Sequence, residues 1–328
     1  MLVPCLLFTL GLVLLIKGGD WFVDAATEIA HHYHVSELII GATVVSIGTT
    51  LPEVMVSATS AFTGHGEIAY GNAIGSIICN TALISAITIA VRPPKVDVKA
   101  FQSSVFFFFA AAIIYAAIAV CFRAFNRLSG IFFLLFFVVY IVVTAVQAKK
   151  SSKQPQPEET PSEETGKPLW KQYVLLIIGA ALIAWGADLL VDNATIIAKA
   201  IGIPEAVIGL TLVALGTSLP ELVTAITSLI KGHGSLSLGN IIGANLFNIV
   251  LVSGMATTIR PFSIPQEKTF GSIPTSLVVD IPVMLFVMAL MTIPPFFSGK
   301  MSRLKNGDRK STRLNSSHIQ KSRMPSSA

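Results

Sequence analysis

Charge is what this sequence has least of. Only 12% of its 328 residues are Asp, Glu, Lys or Arg, against 53% hydrophobic residues and a mean hydropathy of +0.72. A soluble domain carries about 25% charged residues, so a water-soluble globule is excluded and a polytopic membrane protein is implied. Cysteine is scarce as well. Cys5, Cys79 and Cys121 each lie in or beside an apolar run and offer neither a disulfide framework nor metal-ligand spacing. No nucleotide-binding loop, nucleophile–base pair or Cys/His metal cluster is visible, so neither an enzyme nor a cofactor is expected. The N-terminus lacks a charged n-region and an Ala-x-Ala site, and it reads as a first membrane span rather than a cleaved signal. The net charge of +5 sits between apolar spans or in the tail, as topology signals do. The expected partner is therefore the lipid bilayer, with no nucleic acid and no obligate protein partner.

What the sequence does have is a repeat. Gly48-Thr49-Thr50-Leu51-Pro52-Glu53 returns as Gly216-Thr217-Ser218-Leu219-Pro220-Glu221. Gly71-Asn72-Ala73-Ile74-Gly75 with Asn80 returns as Gly239-Asn240-Ile241-Ile242-Gly243 with Asn248. The same offset of 168 residues maps Gly64-His65-Gly66 onto Gly232-His233-Gly234, Asp20 onto Asp188, Asp24 onto Asp192 and Arg92-Pro93 onto Arg260-Pro261. Nearly half the positions from 41 to 84 equal their partners without a gap, so an internal duplication organises the chain.

A helix needs about 20 apolar residues to cross the hydrocarbon core. The expected spans are Leu2–Ala30, Leu38–Phe62, Ile68–Val91, Phe101–Phe122, Leu128–Ala148, Leu169–Ala200, Ala206–Ile230, Leu236–Ile259 and Thr269–Phe297. Five spans separate equivalent points of the two copies. Because five is odd, the copies lie in the membrane with opposite orientation, an arrangement common in secondary transporters. The fold class is thus an all-α polytopic membrane protein of two inverted five-helix repeats, with the last helix of a ten-helix set missing. Residues 1–148 form the first repeat, 149–168 a polar loop, and 169–307 a second repeat whose fifth helix is cut short. Residues 308–328, polar throughout and rich in Ser, Arg and Lys, read as a disordered, non-native tail.

Basic residues set the sidedness. Arg92, Lys95, Lys99, Lys149, Lys150, Lys153, Lys167, Lys171, Lys231, Lys300, Arg303 and Lys305 fall on one side, against Arg123, Arg127, Lys199, Arg260 and Lys268 on the other. The positive-inside rule then places the N-terminus outside and the 149–168 loop in the cytoplasm, in an inner (plasma) membrane. His31, His32 and His34 read as solvated loop residues rather than pH sensors.

The repeated motif carries chemistry. Proline inside a helix removes a backbone donor and clashes with the carbonyl four residues back, so breaks are expected just before Pro52 and Pro220. Unpaired backbone in hydrocarbon is tolerated only when buried in protein or lining a polar cavity. Freed carbonyls and Thr/Ser hydroxyls are hard oxygen ligands, suited to Na⁺ or Ca²⁺. A carboxylate near the bilayer centre costs about 2.5 kcal/mol or more. Glu53 and Glu221 repel one another besides, and a cation between them removes both penalties. The alternative is a Pro-Glu that merely marks a kink and pairs with a buried donor.

Asn80 and Asn248 either complete an oxygen cage or hydrogen-bond between helices. The Gly-Asn-x-Ile-Gly openings allow close helix approach. Asn72, Asn240 and Asn245 read as caps or helix glue, and Cys79 as packing. Asp20, Asp24, Asp188 and Asp192 share one face of the first span of each half. Capping and interfacial solvation are the first reading, a cation funnel the alternative. The Gly-His-Gly pairs read as tight turns.

These motifs, Gly-Ala-Thr-Val-Val-Ser-Ile-Gly-Thr-Thr-Leu-Pro-Glu and Gly-Leu-Thr-Leu-Val-Ala-Leu-Gly-Thr-Ser-Leu-Pro-Glu, resemble the α-repeats of the cation/calcium antiporter superfamily, in its prokaryotic Na⁺/Ca²⁺ exchanger branch. The likeness runs from Leu2 to Gly307. It implies ten transmembrane helices and four central cation sites, with the equivalents of Glu53 and Glu221 holding Ca²⁺ and sharing in Na⁺ binding. It further implies carbonyl ligands at Thr49, Thr217, Ser46 and Ala214, and more ligands at Thr50, Ser218, Ser76 and Asn80. The family frequently has Ser and Asp where this chain has Ala244 and Asn248, which argues against K⁺ transport.

The expected function is a secondary antiporter exchanging Ca²⁺ for Na⁺ by alternating access, with no cofactor and with Ca²⁺ and Na⁺ as transported ions. The alternative is a H⁺-coupled Ca²⁺ or cation exchanger. A cation channel is the different-class alternative, disfavoured because channels build pores from parallel rotational repeats.

Overall fold

The computed structural model describes residues 2–91, 98–151, 168–202, 216–265, 269–270 and 273–298. Among these, eight helices are long and apolar enough to cross a bilayer: α1 (Leu2–His32), α2 (Glu37–Phe62), α3 (Gly66–Ala90), α4 (Val98–Phe122), α5 (Arg127–Lys150), α6 (Leu169–Ala200), α8 (Gly234–Ile259) and α9 (Ser276–Phe296). A shorter apolar helix, α7 (Leu219–Ile230), lies between α6 and α8. The upstream part of the expected span Ala206–Ile230 lies outside the described residues. So do Arg92-Pro93, most of the 149–168 loop, and everything after 298, including the 308–328 tail.

The last span differs from expectation at its start. Thr269–Phe270 and Ile273–Pro274 pair as short antiparallel strands, and the helix begins only afterwards. Pro274 has no N–H and holds Ile273 extended, so the helix cannot start before it. A second two-residue ladder pairs Ala124–Phe125, in the turn between α4 and α5, with Phe262–Ser263, just past α8.

The two halves meet through their first helices. A Cβ on Gly11 would sit 2.8 Å from the Gly186 carbonyl oxygen, and one on Gly18 would sit 3.0 Å from that of Gly179. Positions rise along α1 as they fall along α6, so the helices are antiparallel, as an inverted repeat requires. The offset of 168 turns the pair Gly11–Gly186 into the pair Gly179–Gly18, so the contact is its own symmetry mate. In a bilayer, helix association relies on close packing rather than on exclusion of water, and small residues permit it.

The second helix pair of each half forms the core. In α8, 89% of the apolar window is buried inside the protein. Gly41 of α2 and Gly239 of α8 pack backbone against backbone, Gly41 on Leu236 and Gly239 on Leu38. This is the close approach expected of the Gly-Asn-x-Ile-Gly opening, but the described structure uses it in one copy only. Among the described residues, a Cβ on Gly71 or Gly75 would meet nothing within 4 Å. By the same offset the mate of Leu38 is position 206, outside the described residues. An aromatic layer closes the other flank, with the Phe137 and Phe247 rings edge-on at 5.1 Å and the Tyr140 hydroxyl donating to the Ala42 carbonyl at 3.1 Å.

At one membrane face, the turn between α7 and α8 is tied to the first half by charge. Lys231 Nζ lies 2.8 Å from Asp24 Oδ1, 3.3 Å from Asp20 Oδ1 and 3.1 Å from the Asp20 carbonyl oxygen. Asp20 and Asp24 are therefore ion-paired, a role that neither capping nor solvation had anticipated. His233 Nδ1 lies 2.7 Å from Glu37 Oε1, and His31 Nε2 lies 4.0 Å from the same oxygen. The hydrogen bond to Glu37 raises the His233 pKa above its ordinary 6.5, outweighing partial burial. A raised folded-state value stabilises the protein fully below pH 6.5, and that contribution is lost as pH rises through the raised value. Thermal unfolding across this range is expected to show a pH-dependent component that Glu37→Gln removes.

Candidate cation site

The four motif-bearing segments converge. Ser46, Thr49, Thr50 and Glu53 line the buried face of α2 beyond a π turn at Gly41–Val45. Ser76 and Asn80 lie on α3, and Asn248 on α8, where a π turn begins at each Asn: Asn80–Ile84 and Asn248–Val252. Such turns are rare, single widenings of an α-helix that cluster at functional sites. Their appearance at the same residue of both repeats marks a duplicated site. Glu221 stands in the first turn of α7, after Thr217 and Ser218.

The expected breaks at proline appear in only one copy. The chain is broken into a turn just before Leu219-Pro220, where proline's missing N–H costs nothing at a helix start. Helix α2, by contrast, runs through Pro52. Here the irregularity lies a turn earlier, in the π turn, and Gly48, four residues before Pro52, has no side chain to add to the crowding. Phe22 of α1 fills the space instead, 2.9 Å from where a Gly48 Cβ would be.

Glu53 and Glu221 are both 0% exposed. All four of their carboxylate oxygens are without a hydrogen-bond partner among the described residues. Each carboxylate lies within electrostatic reach of the Cys79 thiol, and Glu53 lies within reach of Glu221. The Thr49 and Thr50 hydroxyls approach Glu221 without satisfying its oxygens. Around them, Thr50 Oγ1, Ser218 Oγ and the side-chain oxygens and nitrogens of Asn80 and Asn248 are buried and equally unpartnered. Ser76 is 4% exposed, and Thr217 is half-buried. Ala214 lies outside the described residues. Among the described residues, Glu53 and Glu221 are the buried acids, and no Lys, Arg or His is buried to answer them. The kink-only reading required each Glu to pair with a buried donor; among the described residues none is in hydrogen-bonding position.

Sequence reasoning missed three supporting residues. Asn240 Oδ1 accepts a hydrogen bond from Thr49 Oγ1 at 3.1 Å, and the Asn240 carbonyl accepts one from Ser46 Oγ at 3.0 Å. Its mate Asn72 donates to Ser57 Oγ at 2.9 Å and to the Glu53 carbonyl at 3.3 Å. Of the two readings, cap or helix glue, both Asn residues take the second: they join helices and in doing so orient the motif of α2. Cys79, read from the sequence as packing, lies within electrostatic reach of both carboxylates. The signal was available, since Asn72 and Asn240 repeat as faithfully as Glu53 and Glu221.

The family pattern described as "Sodium/calcium exchanger protein" matches residues 3–146 and 171–313. The chain belongs to the sodium/calcium exchanger family. It is 38% identical over 270 residues to a putative antiporter, CaxA, of Alkalimonas amylolytica, covering 80% of this chain and 82% of that protein. It is 29% identical over 316 residues to the sodium/calcium exchanger MaX1 of Methanosarcina acetivorans, covering 86% and 90%. A solved structure of the sodium-calcium exchanger NCX_Mj, soaked with Na⁺ and without Ca²⁺, superposes with a TM-score of 0.76 at 32% identity, over 92% of this chain and 93% of that one. The two inverted repeats and the membrane-crossing helices agree with these relatives. This exchanger is a multi-pass membrane transporter of cations, not an enzyme.

Proposed function

We propose that this exchanger is a secondary antiporter that moves Ca²⁺ against Na⁺ by alternating access. The observation that carries the proposal is the pair of fully buried carboxylates, whose four oxygens are unpartnered and which face no buried cationic side chain among the described residues. Leaving this pair ionised and empty is costly in a low-dielectric interior. A Ca²⁺ ion, or Na⁺ ions, answers the charge, and the unpartnered oxygens of Thr50, Ser218, Asn80 and Asn248 are the hard donors such ions take. Ser46, Thr49, Thr217 and Ser76 complete the proposed ligand set, and Ala214 stays in it by its place in the motif. Because both ions use the same carboxylates, they compete, and competition at one site is what couples their fluxes. The pairing of α1 with α6 through four glycines supports movement of these two helices as a unit across the core. Names of relatives support the ions: MaX1 is a sodium/calcium exchanger, and NCX_Mj was studied with Na⁺, Ca²⁺ and Sr²⁺. We place the protein in the plasma membrane, with the N-terminus outside and the 149–168 loop in the cytoplasm.

The test is ⁴⁵Ca²⁺ uptake into proteoliposomes loaded with Na⁺ or with choline at equal pH on both sides. Na⁺ loading is expected to accelerate uptake at least tenfold. Uptake indifferent to Na⁺ but driven by a pH gradient would assign the coupling to protons instead.

A further inference from the structure

In an inverted repeat, one access state is the other with the roles of the two halves exchanged. A contact from α1 to the second-half turn in one state becomes, in the other, a contact from α6 to the first-half turn. Any residue at such a contact that differs from its repeat mate stabilises one state and not the other.

The Lys231 cluster is such a contact. Its acids are duplicated, Asp20 and Asp24 on α1 matching Asp188 and Asp192 on α6, but its base is not. The mate of Lys231 is Thr63. Thr63 Oγ1 is engaged within its own turn, with the Thr59 carbonyl at 3.0 Å and His65 Nδ1 at 3.1 Å. The surrounding contact explains why α1 lies close enough for Lys231 to reach. Gly19 packs on Val223 and Thr227 of α7, where a Cβ would come within 2.8 Å of Val223 Cγ1. The Lys231 side chain is 23% exposed, against 37% for Asp20 and 59% for Asp24.

We propose that Lys231 is a one-sided latch, a positioning residue that holds α1 against the α7–α8 turn and biases the exchanger toward the access state seen in this structure. The inference rests on the alternating-access reading of the site. The latch touches neither carboxylate of the site. It changes how often each side is open, and hence the apparent Ca²⁺ affinity measured from each side, while the intrinsic ligand set is unchanged. Partly exposed ion pairs are each worth a few tenths to about 1 kcal/mol, so the expected change is about two- to fivefold.

The experiment measures apparent KM for Ca²⁺ from each face in sidedness-controlled proteoliposomes, together with maximal rate. Lys231→Thr, which makes the repeats alike at this position, is expected to move the ratio of the two KM values two- to fivefold toward one. Lys231→Arg is expected to keep the original ratio. Adding Thr63→Lys to Lys231→Thr moves the latch to the other turn and is expected to invert the ratio. Wild-type flux with a KM ratio unmoved by Lys231→Thr and by the double variant overturns the latch, whereas absence of any Ca²⁺ flux in the wild type overturns the antiporter reading. A uniform loss of rate from both faces, not rescued by Lys231→Arg, would show a merely structural role and also overturn it.

Discussion

Glu53→Gln and Glu221→Gln are each expected to reduce Ca²⁺ flux to the leak of protein-free vesicles. Each removes one of the two charges that the proposed cargo neutralises, and the amide that replaces it brings a donor that points a positive edge at a cation. The loss should be near complete rather than graded, because the carboxylates come from opposite halves and neither has a substitute among the described buried residues. A second readout separates loss of binding from loss of fold. A ligand at 100 times its dissociation constant stabilises the protein it binds by about 2.7 kcal/mol. Wild-type protein in detergent is therefore expected to gain several degrees in Tm on addition of Ca²⁺, and both variants to gain almost none. The cation-free variants should unfold no lower than cation-free wild type, since each has lost a buried, unpaired charge. Wild-type flux in either variant would sink the site.

The second large effect belongs to the interface between the halves. Gly186→Leu places a side chain where even a Cβ would come within 2.8 Å of the Gly11 carbonyl oxygen and 2.9 Å of the Leu15 nitrogen. Both are backbone atoms, so nothing flexible can yield and the helices must separate. Overpacking of this kind costs about 1–3 kcal/mol, and the expected outcome is a lowered Tm in detergent together with transport reduced at least tenfold. Gly71→Ala is the control. Among the described residues a Cβ there meets nothing within 4 Å, and the change removes a poor helix former, worth up to about 1 kcal/mol in favour of the helix. Equal Tm values for the two variants would show that the α1–α6 contact carries no weight.

Much of this molecule was legible from one sequence because duplication makes a sequence comment on itself. The pairing of Glu53 with Glu221 and of Asn80 with Asn248 needed no second protein, and the odd number of spans between copies implied their inversion before any helix was placed. Apolar length placed Leu169–Ala200 where the helix lies, but it started the last span too early, at Thr269 rather than Ser276. Proline chemistry was a poorer guide. It located an irregular turn at Pro220 but not at Pro52, where the helix runs on and the irregularity is a widened turn upstream, at Gly41–Val45.

By itself the sequence determined the class of the protein and the inverted architecture, since these follow from local composition and from a repeat that any register preserves. Only the tertiary structure decided that the four carboxylate oxygens lack partners among the described residues, that Asn72 and Asn240 brace the motif, and that Lys231 reaches Asp20 and Asp24 from more than 200 positions away. The physical reason is that hydrogen-bond satisfaction and charge pairing depend on distances of a few ångströms between distant segments, and periodicity along a chain carries no information about them.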